Sequence, residues 1–322
     1  MSDRPVSGKP APRPVGVAVL TFRRPDHARM IVPALDEAMA EVRDGRAMRL
    51  IVVDNDPDAG ARRVITAAAG DAVHEVVYVH EPAPGIAAAR NAALSACRED
   101  ALVFIDDDER PEPGWLPALI DTWERTGAEA VVGPVLPRFQ VEPPEWIIQG
   151  GWFDHGRRRT GALVGAAATN NLLLDTRFLV RHGLRFDDAF GLTGGEDTML
   201  TRALVRDGGS IVWCDEAVVR DEVPASRLTS TWLRHRAYRS GNTSVIVDVA
   251  LARQVGALTA GRVRVRGAGT GVMRVCVGAT MIAAARLRHS PRAHTRAVRV
   301  LERGRGMLAA SCGRSFLEYE RR

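Results

Sequence analysis

Short apolar runs alternate with helix-like patterns through the first 132 residues of the chain. After most of these runs, apolar residues recur every three or four positions, which is the spacing of a helix with one buried face. Strands that alternate with helices predict βαβ units and a mostly parallel sheet, because parallel neighbours need a crossover connection. The predicted strands cover residues 15–20, 50–53, 76–79, 102–105 and 130–132.

Polar clusters follow three of these predicted strands, at residues 21–24, 54–56 and 106–108. The carboxyl ends of parallel strands meet at one edge of a sheet, so these clusters are expected to form a site together. The first strand is not followed by a GxGxxG sequence, which argues against a dinucleotide-binding enzyme, and the absence of a GxxxxGK[ST] loop excludes a P-loop NTPase.

Basic residues are concentrated at the C-terminal end. The net charge is +5, yet residues 251–322 contain 15 arginines and only three acidic residues, so the first 250 residues are acidic overall. We therefore predict a disordered N-terminal tail over residues 1–14, an α/β domain over residues 15–250, and a helical, arginine-rich extension over residues 251–322. Such an extension favours an anionic surface.

The remaining composition places the protein in the cytoplasm. The four cysteines are far apart in the sequence, which argues against a disulfide framework or a zinc site, and the first residues lack the apolar segment of a signal peptide. Because no run of about 18 uncharged apolar residues stands out, a polytopic membrane protein is excluded.

The acidic triplet Asp106, Asp107 and Asp108 directly follows a predicted buried strand. Clustered carboxylates repel one another unless a cation neutralises them. Oxygen ligands suit Mg²⁺ or Mn²⁺, which commonly bridge to phosphates. We therefore predict a divalent-cation site here, the alternative being a solvated acidic turn.

A second acidic motif, Gly194-Gly195-Glu196-Asp197, opens a predicted helix. The glycines let the backbone approach a ligand closely. Two carboxylates at a helix start are also favoured by the helix dipole alone. Paired with the acidic triplet, the motif predicts a general base.

In their order along the chain, these motifs resemble family 2 glycosyltransferases of the GT-A fold, especially bacterial enzymes of the succinoglycan-biosynthesis type. The similarity covers about residues 15–242. It rests on several short sequences: Thr21-Phe22-Arg23, Val53-Asp54-Asn55, Gly85 through Ala89-Arg90-Asn91, the DxD-type Asp106-Asp107-Asp108, Thr169-Asn170-Asn171, Gly195-Glu196-Asp197, and Arg236-xx-Arg239.

The resemblance implies a role for each matching residue. Asp197 would be the catalytic base, with Glu196 beside it, and Asp106 and Asp108 would hold Mn²⁺ or Mg²⁺. The nucleotide sugar would be bound by Thr21, Phe22, Arg23, Asp54, Arg90, Asp106, Asp107, Arg236 and Arg239. Two of these have simpler explanations, since Asp54 could form an Asx-turn and Arg90 could pair on a helix surface.

Two features of the site stay open in the sequence. Asp221 and His235 are the candidates for a third metal ligand. Trp146, Trp152 and Trp213 could stack on sugar rings, although large aromatic side chains more often serve packing.

The expected activity is inverting, metal-dependent transfer of a sugar from a nucleotide-sugar donor, most often a UDP-sugar, to a glycan or lipid-linked acceptor. The alternatives are a sugar-phosphate nucleotidyltransferase and an inactive GT-A homologue that binds a membrane or a partner. The basic extension predicts peripheral attachment to the inner face of an anionic membrane, or else a helical cap with a solvated basic face. Nucleic acid is not an expected partner, because the extension has few aromatic residues for stacking.

Overall fold

The computed structural model describes residues 11–154, 156–191 and 193–316. Within them, seven strands form a mixed sheet in the order β3-β2-β1-β4-β8-β6-β9. All neighbours in this sheet are parallel except β8, which runs antiparallel to both β4 and β6. The strands are β1 (Val15–Thr21), β2 (Met48–Asp54), β3 (Glu75–His80), β4 (Ala101–Asp106), β6 (Ala130–Val132), β8 (Asn171–Asp175) and β9 (Ile211–Trp213).

A second sheet of three short strands lies beyond the end of β4, in the order β5-β10-β7. The sequence analysis did not predict it, because its strands are short and carry prolines and charges that obscure the alternating pattern. They are β5 (Glu109–Pro111), β7 (Val135–Phe139) and β10 (Val219–Val223).

Helices cover both faces of the large sheet and continue into the C-terminal region. They are α1 (Pro25–Ala40), α2 (Arg62–Asp71), α3 (Ile86–Ala96), α4 (Trp115–Thr126), α5 (Glu145–Gly150), α6 (Thr176–His182), α7 (Glu196–Arg206), α8 (Ser230–Val255), α9 (Ala257–Leu287) and α10 (Pro291–Ser311). Short 3-10 turns cover Asp188–Phe190 and Ala225–Arg227.

Strand β1 lies in the middle of the parallel part of the sheet, and its side chains alternate between two cores. Val17 and Val19 face the core formed with α1 and α4, whereas Ala18 faces the core on the α3 side. The register pairs Thr21 with Asp54 and Leu20 with Asp106, so the carboxyl ends of β1, β2 and β4 are level. The predicted α/β architecture and its polar edge are confirmed.

The structure differs from the sequence prediction around β8. The apolar stretch over residues 161–174 suggests a strand in the sequence, but strand β8 starts only at Asn171. Asn171 is fully buried; it accepts a hydrogen bond from Trp115 Nε1 and donates to the carbonyl oxygens of Pro134 and Ala217. These contacts fix the antiparallel strand between two parallel halves of the sheet.

The three C-terminal helices pack closely through glycines. A Cβ at Gly306 of α10 would overlap the carbonyl oxygen of Tyr238 on α8, and one at Gly241 of α8 would overlap the carbonyl oxygen of Arg303. Helix α8 also runs through residue 250, the predicted domain boundary. The extension therefore packs on a helix that begins within the predicted α/β domain.

Among the described residues, one helix, α9, is long and apolar enough to cross a membrane by length and composition. Its most apolar window has a mean hydropathy of 1.4, and 17% of that window is buried.

The predicted N-terminal tail lies mainly outside the described residues, since residues 1–10 are not among them. Of the remaining tail residues, Arg13 places its guanidinium 3.4 Å from the centre of the Trp123 ring and 3.7 Å from Asp175.

Candidate active site

The acidic triplet lies at the end of β4, beside the loop that leaves β1. Asp107 is buried, and its carboxylate accepts hydrogen bonds from Thr21 Oγ1 at 2.9 Å and from Arg24 at 3.1 Å. The same Arg24 group lies 3.5 Å from Asp108. Asp107 thus holds the loop after β1 against the end of β4. Arg24 belongs to the polar cluster 21–24, but its role is visible only in the structure.

Glu109 lies buried under the triplet. It accepts hydrogen bonds from the backbone N–H of Asp106 at 3.0 Å and from Asn170 Nδ2 at 2.8 Å. Burial, with the charge of Asp106 next in effect, raises the pKa of Glu109 well above its ordinary value. Asn170, from the predicted Thr169-Asn170-Asn171 motif, therefore contacts the triplet indirectly, through Glu109.

Asp106 is the last residue of β4. No hydrogen-bond donor in the described parts of the chain reaches its carboxylate within 3.5 Å. Burial raises its pKa to about 7; the charge of Arg90 lowers it, and Asp108, Asp107 and Asp221 raise it further. Asp106 therefore sits where negative charge is in excess.

Arg227 joins the triplet to the small sheet. Its guanidinium donates to Asp108 Oδ2 at 2.8 Å and to Asp221 Oδ1, on β10, at 3.2 Å. Burial raises the pKa of Asp221, the charge of Arg227 opposes this, and Asp108 adds to it. Sequence alone did not indicate Arg227, because its role depends on Asp108, which lies 119 positions away in the chain.

The carboxylate oxygens at this edge of the sheet are ligands that suit a divalent cation. In residues 11–154, 156–191 and 193–316, however, no group of three His, Cys, Asp or Glu side chains is arranged to hold a metal ion. Among the described residues no donor reaches the Asp106 carboxylate, and Asp108 accepts its arginine contacts through Oδ2, so each of the two has an oxygen there that could bind a cation. Mg²⁺ and Mn²⁺ are commonly held by one or two carboxylates together with substrate phosphates. Of the two candidate third ligands, Asp221 lies beside the triplet, whereas His235 lines a separate pocket with Glu302 and Arg305.

Glu196 and Asp197 begin α7. Glu196 is buried; one oxygen forms an ion pair with Arg90 of α3, and the other, Oε2, is buried with no hydrogen-bond partner among the described residues. Burial raises the pKa of Glu196, and the charge of Arg90 acts against it. Asp197 is half-buried, and within the described residues its carboxylate accepts hydrogen bonds from Thr198 alone, from the N–H at 2.5 Å and from the hydroxyl at 3.2 Å. Asp197 is thus the more accessible of the two carboxylates.

Arg90 brings the two acidic motifs together. It pairs with Glu196, and its charge lowers the pKa of Asp106. The Arg90 guanidinium lies 5.6 Å from the centre of the Phe186 ring. The structure therefore assigns Arg90 to the middle of the site and not to a solvated helix surface.

The predicted nucleotide-binding residues on β1 and β2 differ in exposure. Phe22 is exposed, and Arg23 has φ 53°, an uncommon backbone conformation for a non-glycine residue. Asp54 is fully buried and accepts hydrogen bonds from the backbone N–H groups of Asp56 and Ala61 and from the Tyr78 hydroxyl. Asp54 thus organises the turn after β2, as in the Asx-turn alternative, and its contact with a nucleotide stays a prediction.

Arg236 and Arg239 extend the site onto α8. The Arg236 guanidinium lies 5.3 Å from the Trp232 ring centre and 5.6 Å from that of Phe153. Burial lowers the pKa of Arg236 to about 10, with Arg239 next in effect, and the charge of Asp221 opposes them. Arg236 is therefore near the Asp221 side of the acidic edge, where the similarity places a diphosphate-binding arginine.

The three tryptophans have different surroundings. Trp213 donates a hydrogen bond to Asp215 at 3.1 Å. Trp146 and Trp152 line a cavity of about 630 Å³ between α5, α8 and the turn that joins α9 to α10, together with Arg234, Arg286, His289 and His294. Contact of any of them with a sugar stays a prediction.

Comparison with known proteins agrees with this geometry. A model of the family described as "Glycosyl transferase family 2" matches residues 17–177. The succinoglycan biosynthesis protein ExoM of Rhizobium meliloti (strain 1021) is 34% identical over 235 residues, which cover 71% of this chain and 73% of that protein.

More distant relatives match shorter stretches of the chain. A pre-mycofactocin glycosyltransferase of Mycobacterium tuberculosis is 33% identical over 42% of this chain and 25% of its own length. A glucosyl-dolichyl phosphate glucuronosyltransferase of Haloferax volcanii is 24% identical over 56% of this chain and 61% of its own.

The fold has a counterpart among solved structures. The crystal structure of S. aureus TarS aligns with a TM-score of 0.51 at 13% identity, covering 75% of this chain and 39% of that one, which supports the GT-A-like architecture. With its sheet, its ordered motifs and its relatives in agreement, the chain belongs to glycosyltransferase family 2.

Proposed function

We propose that the protein is an inverting, metal-dependent glycosyltransferase that acts in polysaccharide or glycoconjugate biosynthesis. The observation that supports this most directly is the convergence of the acidic triplet and the Glu196-Asp197 motif through Arg90, which contacts one motif and acts electrostatically on the other. Transfer of a sugar needs stabilisation of the leaving diphosphate and a base for the acceptor hydroxyl. The two motifs provide residue types for both tasks.

Asp197 is the proposed base. Among the described residues its carboxylate is held by Thr198 alone and is only half-buried, which leaves it accessible to an acceptor hydroxyl. Glu196 is buried beside it and has an oxygen without a partner, which suits a hydrogen bond to a sugar hydroxyl. With one accessible carboxylate serving as base, the simplest chemistry is a single in-line displacement that inverts the anomeric centre.

The leaving diphosphate is the proposed ligand of Arg236 and Arg239. The charge of Arg236 remains at neutral pH, since its lowered pKa is about 10. A Mn²⁺ or Mg²⁺ ion held by Asp106 and Asp108 would add Lewis-acid stabilisation of the diphosphate. The donor is proposed to be a nucleotide sugar, with a UDP-sugar as the first choice, and Thr21, Phe22 and Arg23 lie on the loop that would receive the base and ribose.

The proposed acceptor is a glycan on a lipid carrier. One relative is named for succinoglycan biosynthesis, and another is named for transfer to glucosyl-dolichyl phosphate, a sugar on a lipid phosphate. A lipid-linked acceptor requires the enzyme to work at a membrane surface, which the C-terminal helices could provide.

Helix α9 presents an apolar surface suited to a membrane. Val265, Val272, Met273 and Val277 are exposed on it. Exposed arginines lie near both ends, at positions 262, 264 and 266 and again at 286 and 288. An apolar face flanked by arginines suits peripheral binding to an anionic bilayer. We propose that this face attaches the enzyme to the cytoplasmic side of the cell membrane.

Ligand-induced thermal stabilisation would test the proposal. In the presence of Mn²⁺, one nucleotide sugar of a panel should raise the Tm of the protein, because a ligand that binds only the folded state stabilises it. Asp106→Asn should abolish the shift, while Asp71→Asn, which changes an exposed aspartate at the end of α2, should retain it. A shift that survives both Asp106→Asn and a chelator would contradict metal-dependent donor binding.

A further inference from the structure

Helix α10 carries four arginines on one side. Arg292, Arg296, Arg299 and Arg303 are spaced by four, three and four residues, which puts them on one face of the helix. We call these four residues the arginine face. Arg292 and Arg296 line a groove of about 580 Å³ that also borders Gly151, Trp152 and Trp213.

The arginine face has no matching carboxylates in the described part of the chain. Arg292, Arg296 and Arg303 are in no ion pair there, and Arg299 donates to the carbonyl oxygen of Gly151 at 2.8 Å. The acidic residue of α10, Glu302, pairs instead with Arg234 at 2.6 Å and with Arg305 at 3.2 Å. Asp154 borders the groove without forming an ion pair.

Part of this positive charge is buried. Arg274 of α9 lies against α10 at Gly304, and its Nε is buried with no hydrogen-bond partner in residues 11–154, 156–191 and 193–316. Burial lowers the pKa of Arg303, and the positive charges of Arg274 and Arg299 lower it further. Burying cations near one another without an anion costs stability. A cost of this kind is expected where a site is built to receive an anionic ligand.

The arginine face also adjoins the active site. The charge of Arg299 lowers the pKa of Arg236, which in turn interacts with Asp221. Positive charge therefore continues from the acidic edge through Arg236 to Arg299 and Arg303. The proposed donor diphosphate needs only the part nearest the acidic edge.

We propose that the arginine face, with Arg274, is a second anion site that binds the phosphate of a lipid-linked acceptor. Guanidinium groups match phosphate oxygens in charge and in two-pronged geometry. The site would hold the lipid phosphate on the membrane side of the enzyme while the sugar end reaches Asp197. This inference rests on the proposed function, because it presumes an acceptor that carries a phosphate.

Vesicle binding by the full-length protein separates this site from general attraction to anionic lipid. The probes are phosphatidylcholine vesicles that contain either dolichyl phosphate or the same mole fraction of phosphatidylglycerol. The test variant is Arg296→Gln/Arg303→Gln. The matched control, Arg264→Gln/Arg266→Gln, removes two exposed arginines from α9.

We expect the unmodified protein to prefer dolichyl phosphate vesicles at least tenfold. The test variant should lose this preference, whereas the control should keep it and bind both kinds of vesicle more weakly. Equal binding to the two kinds of vesicle, or equal losses in the two variants, would overturn the proposal in favour of a diffuse membrane charge.

Two further measurements guard against a folding defect and against failure of the proposed function itself. Without ligand, the Tm of Arg303→Gln should equal or exceed that of the unmodified protein, because a repelled cation has been removed; a marked fall would show that Arg303 is structural and would overturn the proposal. Nucleotide-sugar binding with Mn²⁺ should be the same in the test variant and in the unmodified protein. Its absence from both would refute the proposed function, whereas its loss in the test variant alone would place these arginines in the donor site and overturn the second-site proposal.

Discussion

The Arg90 guanidinium forms a buried ion pair with the Glu196 carboxylate, although the two residues are 106 positions apart in the sequence. Arg90 comes from α3 and Glu196 from the first turn of α7, so the pair joins the parallel half of the sheet to the segment that carries the proposed base. The position of Asp197 therefore depends on a contact made by its neighbour.

Loss of Arg90 should destabilise the protein strongly. Arg90→Met leaves Glu196 buried without its cation, and breaking one side of a buried pair costs about 3–5 kcal/mol. The double variant Arg90→Met/Glu196→Leu should lose less than Arg90→Met alone, because no buried charge remains. Urea unfolding of the two variants would measure this difference, and a double variant less stable than Arg90→Met would contradict a dominant charge effect.

Asp197→Asn should separate donor binding from catalysis. Removal of a general base typically slows the reaction by about 10²–10⁴-fold. Because Asn keeps the shape and can still accept hydrogen bonds from Thr198, the thermal shift with a nucleotide sugar should persist. Asp207→Asn, at the other end of α7, serves as the control and should transfer sugar normally. Full activity of Asp197→Asn would assign the base to another residue.

Asp36 should stabilise the protein at neutral pH. Its carboxylate accepts hydrogen bonds from the N–H groups of Val73 and His74 and from His74 Nδ1. Burial alone would raise the pKa of Asp36, but these bonds outweigh it and lower the pKa. A lowered folded-state pKa means that the stabilisation is present above the unfolded pKa and is lost as the pH falls through the folded pKa.

Asp36→Asn should therefore reduce the free energy of unfolding by about 1 kcal/mol at pH 7, a modest value because the group is near the surface. The difference between the two proteins should shrink as the pH falls below 4 in urea titrations. A difference that stays constant with pH would show that the charge of Asp36 does not contribute.

The glycine contacts between α8 and α10 give a matched pair of variants. Gly306→Ala should destabilise the helical bundle, because its Cβ would overlap the Tyr238 carbonyl oxygen. Gly261→Ala, on α9 with open space around it, should stabilise the protein by up to about 1 kcal/mol through helix propensity. Opposite shifts in Tm are expected, and equal shifts would contradict close packing at Gly306.

If α9 attaches the protein to the membrane, acidic residues introduced on its exposed face should weaken vesicle binding. Val265→Asp/Val272→Asp should weaken sedimentation with anionic vesicles, because both side chains are exposed on the proposed face. Val180→Asp, on α6 and also exposed, controls for the added charge at a distant position. Unchanged sedimentation of the double variant would remove α9 from the attachment surface.

The parallel core and its polar edge could be predicted because their signals are local. Strands such as 15–20 and 102–105 are continuous apolar runs, and the motif that follows each lies at a strand end by necessity. The strand β8 was harder to place, since Asn171 at its start makes contacts with α4 and with two loops that are distant in the sequence.

Electrostatic partners were the least predictable part of the site. Arg227 approaches Asp108 and Asp221 only because β4, β10 and a 3-10 turn meet in space. For the same reason, sequence alone did not show that both carboxylate oxygens of Asp54 accept hydrogen bonds from the turn after β2. Pairings between distant segments have no fixed spacing, so a single sequence does not reveal them.

Helix α8 is unbroken for 26 residues, about 39 Å at 1.5 Å per residue. It starts beside the small sheet, carries Arg236 and Arg239, and ends where α9 begins. Because the helix is continuous, its two ends keep a fixed distance and orientation, which a flexible linker would not ensure. Whatever immobilises α9 therefore also fixes the positions of Arg236 and Arg239 relative to it. A cut at residue 250 would divide α8 near its C-terminal end and remove α10, which packs against α8.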